Sequence, residues 1–178
     1  MNFLDLVQKR QSSRAYDARP VSREAIDRCC EAARLSPSAC NAQPWNFIIV
    51  DDPQKKEALV EQAFSGMFGV FGFVKDAPVL VAVERQASSY AARLGGAFRG
   101  IQYGLIDIGI ACEHFVLQAA EEGLATCYIG WFNEKGAKKA LGISKRKKID
   151  ILIALGYADS VKIEEKKRKS LEEIRKYL

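Results

Sequence analysis

The chain has 178 residues, of which 48% are hydrophobic and 28% charged, so its composition is that of a globular protein and its length suits a single domain, residues 1–178. Its net charge of +5 favours anionic ligands but lacks the concentrated basic face of a nucleic-acid-binding protein. One histidine and five cysteines without metal-ligand spacing predict no metal site, and the odd cysteine count favours a reducing compartment. Because neither a transmembrane-length apolar run nor a signal-peptide pattern is found, we expect a cytoplasmic protein that does not bind membranes.

The first third of the chain predicts two helices and a strand. Residues 3–10 have the apolar periodicity of a short helix. Ser22 is a favoured N-cap for a second helix, which ends before Pro37 because a residue that precedes proline avoids the helical conformation. NFIIV, residues 46–50, is predicted to be a strand.

Further helices and strands are predicted in the remainder of the chain. Asp52 and Pro53 are the preferred N-cap and first residue of a helix. APVLVAVE, residues 77–84, is almost continuously apolar and predicts a strand that is buried on both faces. Asn133 can cap a short helix that Gly142 closes. The other predicted elements are a helix over 101–124, an extended segment ATCYIGWF over 125–132 and a final core strand, KIDILIALGY, over 148–157.

The helix over residues 101–124 is apolar on two of its faces. One seam repeats at alternating steps of four and three and consists of Ile101, Leu105, Ile108, Cys112, Phe115 and Ala119. The second face carries Ile106, Ile110, Leu117, Ala120 and Leu124, and a polar stripe carries Asp107, His114, Gln118 and Glu121. A helix that is apolar nearly all round must be enclosed. We expect it to pack between a sheet and a partner subunit or, alternatively, to be the central helix of a monomer.

Cations and hydroxyls are concentrated in KRQSSRAYD, residues 9–17, where the first helix ends. These cations can complement the helix macrodipole, and the serines suit the turn that follows. Alternatively, Arg10 and Arg14 can fork onto a phosphate while a serine hydroxyl completes an anion site. The basic tail KIEEKKRK, residues 162–169, is by itself typical of a solvated segment.

A turn-rich loop, SPSACNAQPW, residues 36–45, joins the second helix to the first strand. With the arginine–serine segment, APVLVAV and GLATCYIGWF in this order, it resembles the flavin-dependent nitroreductase family. Three motifs match. An R-x-S-x-R pattern falls at Arg10, Ser12 and Arg14, and a PSxxNxQPW-like loop falls at residues 37–45. A segment that begins with GL and ends with glycine falls at residues 123–130. The resemblance extends over nearly the whole chain, and the joint order and spacing of the motifs make it specific.

The resemblance implies a fold, a cofactor and a reaction. Family members are homodimeric α+β sandwiches of three layers, in which a central, mostly antiparallel sheet lies between helices and FMN binds between the subunits. NADH or NADPH passes hydride to the flavin N5, and an electron-poor acceptor such as a nitroaromatic or a quinone then takes its place. Because the cofactor carries the chemistry, no catalytic side chain is expected.

The resemblance also assigns residues to the flavin from the same subunit. Arg10, Ser12 and Arg14 would hold the FMN phosphate or ribityl chain, since guanidiniums pair well with a dianion. Gln11 would lie near the pyrimidine edge, where a carboxamide can pair with the imide and carbonyls. The residues that would lie against the ring are Tyr128, Ile129 and Gly130. The backbone N–H of Gly130 would donate towards N5.

Two further segments are assigned in the same way. From the other subunit, the loop would contribute Pro37, Ser38, Ala39, Asn41 and Gln43. Lys166 and Arg168 match a K-x-R pattern of additional phosphate ligands near the C-terminus. We therefore expect the tail, residues 162–178, to contact the partner subunit.

One segment departs from the family pattern. Family enzymes often place polar or cationic side chains beside N1 and O2 of the flavin, whereas FSGMFGVFGFVKD, residues 64–76, has Lys75 as its only cation. The segment is either an ordinary buried loop or a flexible apolar lid over the substrate face.

The same phosphate site is compatible with two other functions. One is a flavin-binding or redox-sensing protein without turnover. The other is a specialised flavin enzyme of the same fold, such as a dehalogenase or an enzyme that consumes its own flavin.

Overall fold

The computed structural model describes residues 2–87, 96, 98–159 and 165–178. The α-helices that lie wholly within these ranges are α1 (Phe3–Lys9), α2 (Arg23–Arg34), α3 (Pro53–Ala63), α4 (Tyr103–Glu121), α5 (Glu134–Ala140) and α6 (Leu171–Ile174). The strands are β1 (Trp45–Val50), β2 (Val79–Arg85), β3 (Ala125–Ile129) and β4 (Lys148–Gly156). The helices and strands predicted from the sequence are therefore present, with ends that differ by a few residues.

The four strands form one sheet in the order β1-β2-β4-β3. Each neighbouring pair is antiparallel. Beside β3, Ser12 forms a parallel bridge with Thr126, and Tyr16 forms an antiparallel bridge with Ala158. The arginine–serine segment therefore runs along the β3 edge of the sheet.

Helices cover both faces of the sheet, because successive side chains of a strand point to opposite faces. On one face, Val81 and Val83 of β2 pack in a cluster with side chains of α2 and α4. On the other face, Leu80 and Ala82 pack with side chains of α3 and α5. The result is the expected α+β sandwich of three layers.

The helix caps predicted from the sequence are observed. Ser22, Asp52 and Asn133 each accept a backbone N–H from the first turn of α2, α3 and α5, at 3.2, 2.9 and 3.1 Å. These bonds satisfy donors that the first turn of a helix leaves unpaired. Gly142, with φ of 66°, follows α5 in the left-handed conformation that glycine adopts at helix ends.

Helix α4 packs its predicted apolar seam onto the sheet. The Phe115 ring stacks on that of Phe47 in β1, with centroids 5.4 Å apart. Also buried on this seam are Ile108, Cys112 and Ala119. In contrast, Leu105 of the seam and Ile106 of the second face are 40% and 53% exposed. The N-terminal turns of α4 therefore present apolar side chains to the surface of the single chain.

Two stretches differ from their sequence-based expectation. The segment predicted to be extended over 125–132 ends as a strand at Ile129, after which Phe132 turns into the core. Asp107, assigned to a polar stripe, is buried because it bonds a loop outside its helix. Among the described helices, none combines the length and apolar character needed to cross a membrane.

Candidate functional site

Backbone hydrogen bonds hold the arginine–serine segment against β3. The Ser13 N–H donates to the Thr126 carbonyl at 2.9 Å, and Ser12 bridges to the same residue. The Tyr16 hydroxyl donates to the Ser13 carbonyl at 3.0 Å. Because these bonds fix the backbone, the side chains of the segment extend from ordered positions.

Lys166 of the C-terminal tail lies beside Arg10. Its ammonium donates hydrogen bonds to the backbone carbonyls of Val7 and Arg10. Burial lowers the pKa of Lys166, and the positive charges of Arg10 and Arg168 lower it further. The structure therefore brings together three of the cations that the sequence assigned to a phosphate.

Arg14 reaches the same edge of the sheet. Burial raises the pKa of the Cys127 thiol in β3, and the charges of Arg14 and Arg10 oppose that rise. Both guanidiniums therefore lie near Cys127. Within the described part of the chain, no carboxylate forms a salt bridge with Arg10, Arg14, Lys166 or Arg168. These four residues, here called the cation cluster, form a local excess of positive charge that an anion would relieve.

Gln11 lies in a cleft next to the cation cluster. With Arg10 and Ser13 it lines a cavity of about 130 Å³, which Gly123 and Thr126 also line. The cleft is formed where α4 ends and β3 begins. Gln11, the predicted partner of the flavin pyrimidine edge, therefore lies in a concave site.

The end of β3 carries the three residues that the resemblance places against the ring. Tyr128 is half-buried, and its hydroxyl donates to Glu113 Oε2 of α4 at 3.3 Å. Ile129 is 1% exposed, so in the single chain almost none of this residue is accessible to a ligand. Gly130 is exposed, and a Cβ at this position would meet no atom within 4 Å. The backbone at Gly130 therefore borders open space, which a planar ligand needs for close approach.

The loop Ser38–Gln43 has an unusual backbone. Cys40, Asn41 and Gln43 have φ of 52°, 51° and 45°, a left-handed region that residues other than glycine rarely adopt. Ser38 Oγ accepts the Gln43 N–H at 3.0 Å, and Gln43 Nε2 donates to Asn41 Oδ1 at 3.1 Å. Pro37, which precedes the loop, is exposed. Backbone strain of this kind concentrates at functional sites.

Within one chain, this loop and the cation cluster lie at opposite corners of the sheet. Since β1 and β3 are the first and last strands in the order, they are roughly 14 Å apart. Trp45 beside the loop pairs with Arg85, which pairs with Lys148, whereas Thr126 beside the cluster pairs with Leu155. Lys148 and Leu155 both lie in β4, and the distance between them along the strand is about 23 Å. The loop is therefore roughly 25 Å from the cation cluster, and one chain does not bring the two predicted parts of the site together.

A model described as the nitroreductase family matches residues 7–157. This chain belongs to the nitroreductase family. It is 27% identical over 195 aligned positions to iodotyrosine deiodinase 1 of Rattus norvegicus, covering 97% of this chain and 68% of that protein. It is 26% identical over 185 positions to the Bacillus subtilis protein named "Putative NAD(P)H nitroreductase YdgI", covering 88% of each. Among solved structures, an FMN-dependent nitroreductase from Clostridium difficile R20291 is 26% identical, with a TM-score of 0.71 and coverage of 96% and 94%.

These comparisons confirm the family that the motifs indicated and the nitroreductase-like fold. The matched range includes Arg10, the loop Ser38–Gln43 and Gly130. It ends before Lys166, which the structure nevertheless places beside Arg10, and before Arg168, whose charge acts on Lys166.

Two residues near the site were not assigned to it from the sequence. Asp107 is 3% exposed, and its Oδ1 accepts the Ala39 N–H at 3.0 Å. Trp131 follows Gly130, is 53% exposed, and its ring centroid lies 5.5 Å from that of Phe68. For Asp107 the sequence offered only a carboxylate on a largely apolar helix, and for Trp131 only its position next to the glycine.

Segment 64–76 has a buried part and an exposed part. It forms two short 3-10 turns, Gly66–Phe68 and Gly72–Lys75. Phe64 and Val74 are buried, whereas Met67 and Val70 are 71% and 76% exposed. The buried-loop interpretation therefore holds for the ends of the segment, and its middle presents apolar side chains to the surface.

Within the described ranges, no group of three or more His, Cys, Asp or Glu side chains is placed to hold a metal ion. The five cysteines are free thiols.

Proposed function

We propose that this member of the nitroreductase family is a homodimeric, FMN-dependent NAD(P)H oxidoreductase that reduces nitroaromatics, quinones or similar electron-poor acceptors. The proposal rests on the cation cluster, which joins two ends of the chain. Among the described residues none of its members forms a salt bridge with a carboxylate, although the charge of Glu113 acts on Lys166. A terminal phosphate fits such a cluster, because guanidiniums and an ammonium can each donate to its oxygens. The FMN-dependent relative from Clostridium difficile supports the same cofactor.

The residues around the cluster would bind and orient the cofactor. FMN, when bound, supplies two-electron chemistry by accepting hydride from NAD(P)H at N5 and passing it to the acceptor. The cation cluster and Ser12 would hold the phosphate and ribityl chain, and Gln11 would pair with the pyrimidine edge from its cleft. The Gly130 N–H would donate to N5. Tyr128, anchored on Glu113, would limit the position of the ring on one side.

We infer that the loop Ser38–Gln43 is supplied to this site by a second copy of the chain. Gly130 follows Ile129, which pairs with Leu152 of β4. Trp45, beside the loop, is level with Lys148 of the same strand. In one chain the loop is therefore roughly 19 Å from Gly130, too far for its side chains to touch a ring there. The partner subunit would contribute Pro37 and, from the loop, Ser38, Ala39, Asn41 and Gln43.

Two exposed apolar surfaces support the homodimer. Leu105 and Ile106 form one at the start of α4, and Leu171, Ile174 and Tyr177 of the tail form another, with exposures of 60%, 68% and 81% for the tail residues. Extended apolar surface is unusual on a soluble monomer and typical of an obligate interface. We propose that α4 pairs with its copy and that the tail, residues 162–178, which holds Lys166 beside Arg10 of its own chain, also contacts the partner subunit.

We also propose a single domain over residues 1–178 and a cytoplasmic location. The free cysteines support the location, because thiols persist in reducing compartments.

A reductive dehalogenase is the second candidate function. The relative named iodotyrosine deiodinase 1 aligns with 97% of this chain at 27% identity. Reductive removal of a halogen from an aromatic ring would use the same flavin, so the phosphate-binding residues do not separate the two reactions.

Steady-state assays separate these functions. The purified protein, loaded with FMN, is given NADH or NADPH with a nitroaromatic, a quinone or a halogenated phenol. Turnover of the first two acceptors supports the oxidoreductase, and release of halide supports the dehalogenase. FMN binding without turnover of any acceptor would contradict both and favour a non-catalytic flavoprotein.

A further inference from the structure

Asp107 is a buried carboxylate whose two oxygens differ in their surroundings. It lies in the second turn of α4 and is 3% exposed. Its Oδ1 accepts the Ala39 N–H at 3.0 Å, while the buried Oδ2 has no hydrogen-bond partner in the part of the chain that the structure describes. Because an unpaired buried carboxylate oxygen is costly, its presence calls for a reason beyond packing.

The bond from Ala39 to Asp107 ties the loop Ser38–Gln43 to α4. Three residues of this loop are left-handed without being glycine, and such a backbone persists only where its surroundings hold it. The bond between Gln43 and Ser38 closes the loop on itself but does not fix where the loop stands on the protein. The Asp107 carboxylate fixes the position of the loop, because α4, which carries it, is packed in the core.

We propose that Asp107 is a positioning residue that acts across the dimer interface: it holds the loop of its own chain in the shape that contacts FMN bound by the other chain. This inference rests on the proposed function, since it needs FMN between two subunits. The separation of roughly 25 Å between the loop and the cation cluster of one chain assigns the loop to the partner's site.

Single substitutions test the loop contact first. Asp107→Ala removes the acceptor, and Ala39→Pro removes the donor from the loop side. Ser38 is already extended, with φ of −147° and ψ of 155°, as a residue before proline prefers, and the proline ring would take the place of the N–H that faces Asp107. Both changes should weaken FMN binding roughly tenfold or more, as the loss of a hydrogen bond to a charged group would. Asp107→Asn, which keeps an acceptor oxygen, should bind FMN nearly as the wild type does, and Glu121→Ala on the exposed side of α4 is the matched control.

Mixed dimers then test the action across the interface. An Arg10→Ala chain and an Asp107→Ala chain are co-expressed with different tags, and dimers that carry both are purified. In such a dimer one site combines both damaged parts and the other combines an intact cation cluster with an intact loop. We expect half of the wild-type FMN content, although each variant alone retains little. A general loss of folding caused by Asp107→Ala would not be rescued in this way.

Several results would overturn the proposal. These are a mixed dimer without FMN, an Asp107→Ala or Ala39→Pro protein with wild-type affinity, and an Asp107→Asn protein that loses FMN as Asp107→Ala does. If Asp107→Ala does not fold, the Ala39→Pro chain takes its place in the mixed dimer and decides the outcome. Failure of the proposed function is seen separately, because the wild-type protein would then bind no FMN or would not dimerise.

Discussion

The ammonium of Lys166 donates a hydrogen bond to the backbone carbonyl of Arg10. This bond joins the C-terminal tail to the end of α1 and sets two cations side by side. Because the charges of Arg10 and Arg168 both lower the pKa of Lys166, the cluster is under mutual repulsion, and a bound anion should stabilise it.

Arg10→Ala should weaken FMN binding more than Arg168→Ala. Arg10 is half-buried in a segment fixed on β3, whereas Arg168 is exposed in the tail and must lose more chain entropy to bind. A charge-assisted bond contributes about 1.5–3 kcal/mol, so Arg10→Ala should raise the Kd by roughly ten- to a hundredfold. Quenching of FMN fluorescence during titration measures the Kd, with Lys169→Ala as a matched tail control. Equal affinity of Arg10→Ala and the wild type would remove Arg10 from the phosphate site.

Inorganic phosphate should stabilise the FMN-free protein more than chloride at equal ionic strength. A ligand at a hundred times its Kd adds about 2.7 kcal/mol, which for a chain of this size is a rise in Tm of roughly 5–10 °C. Thermal unfolding with each salt provides the measurement, and Arg10→Ala should abolish the difference. Identical Tm values in phosphate and chloride would show that the cluster is not an anion site.

Two neighbouring substitutions on α4 should have different consequences. Ile106 is 53% exposed and Ile108 is 3% exposed. Ile106→Asp should leave a folded monomer without FMN, because the charge falls on the proposed interface. Ile108→Asp should unfold the chain, because it buries a carboxylate without a partner. Circular dichroism and sedimentation distinguish the two, and Gln54→Asp on α3 is the control. An Ile106→Asp protein that remains a dimer with FMN would place the interface elsewhere.

Thiol labelling near pH 8 should be confined at first to Cys40. Burial raises the pKa of Cys29 and of Cys112 to about 12, so that only about one in ten thousand of these groups is thiolate at pH 8. Their rates should rise with pH as the thiolate fraction grows. Cys40 is exposed on the single chain, but it lies in the loop that we assign to the interface. Labelling of Cys40 should therefore be slowed by FMN, and a rate independent of FMN would contradict that position of the loop.

The helices and strands could be predicted because their determinants are local. Asp52 with Pro53 and Asn133 with Gly142 mark helix ends within a few residues of sequence. The apolar run at β2 indicated a central strand without any knowledge of its neighbours. The exposed N-terminal turns of α4 and the strand order could not be predicted, because both depend on contacts between segments that are distant in the sequence.

Only part of the candidate site could be predicted from the sequence. The motif order identified Arg10 and Gly130, and the tail pattern brought in Lys166. The burial of Asp107 depends on a bond to Ala39, far away in the sequence, and the left-handed residues of the loop include no glycine that could have indicated them. Only the strand order reveals that the loop and the cation cluster lie too far apart in one chain.

Sedimentation velocity of the purified protein at low micromolar concentration, recorded at both the protein and the flavin absorption bands, tests whether FMN is bound between two subunits. We expect FMN to sediment with a particle of twice the 19.8 kDa chain mass, with equal numbers of chains and flavins. A monomer that keeps stoichiometric FMN would contradict the two-subunit site, and a particle that does not take up added FMN would contradict the proposed cofactor.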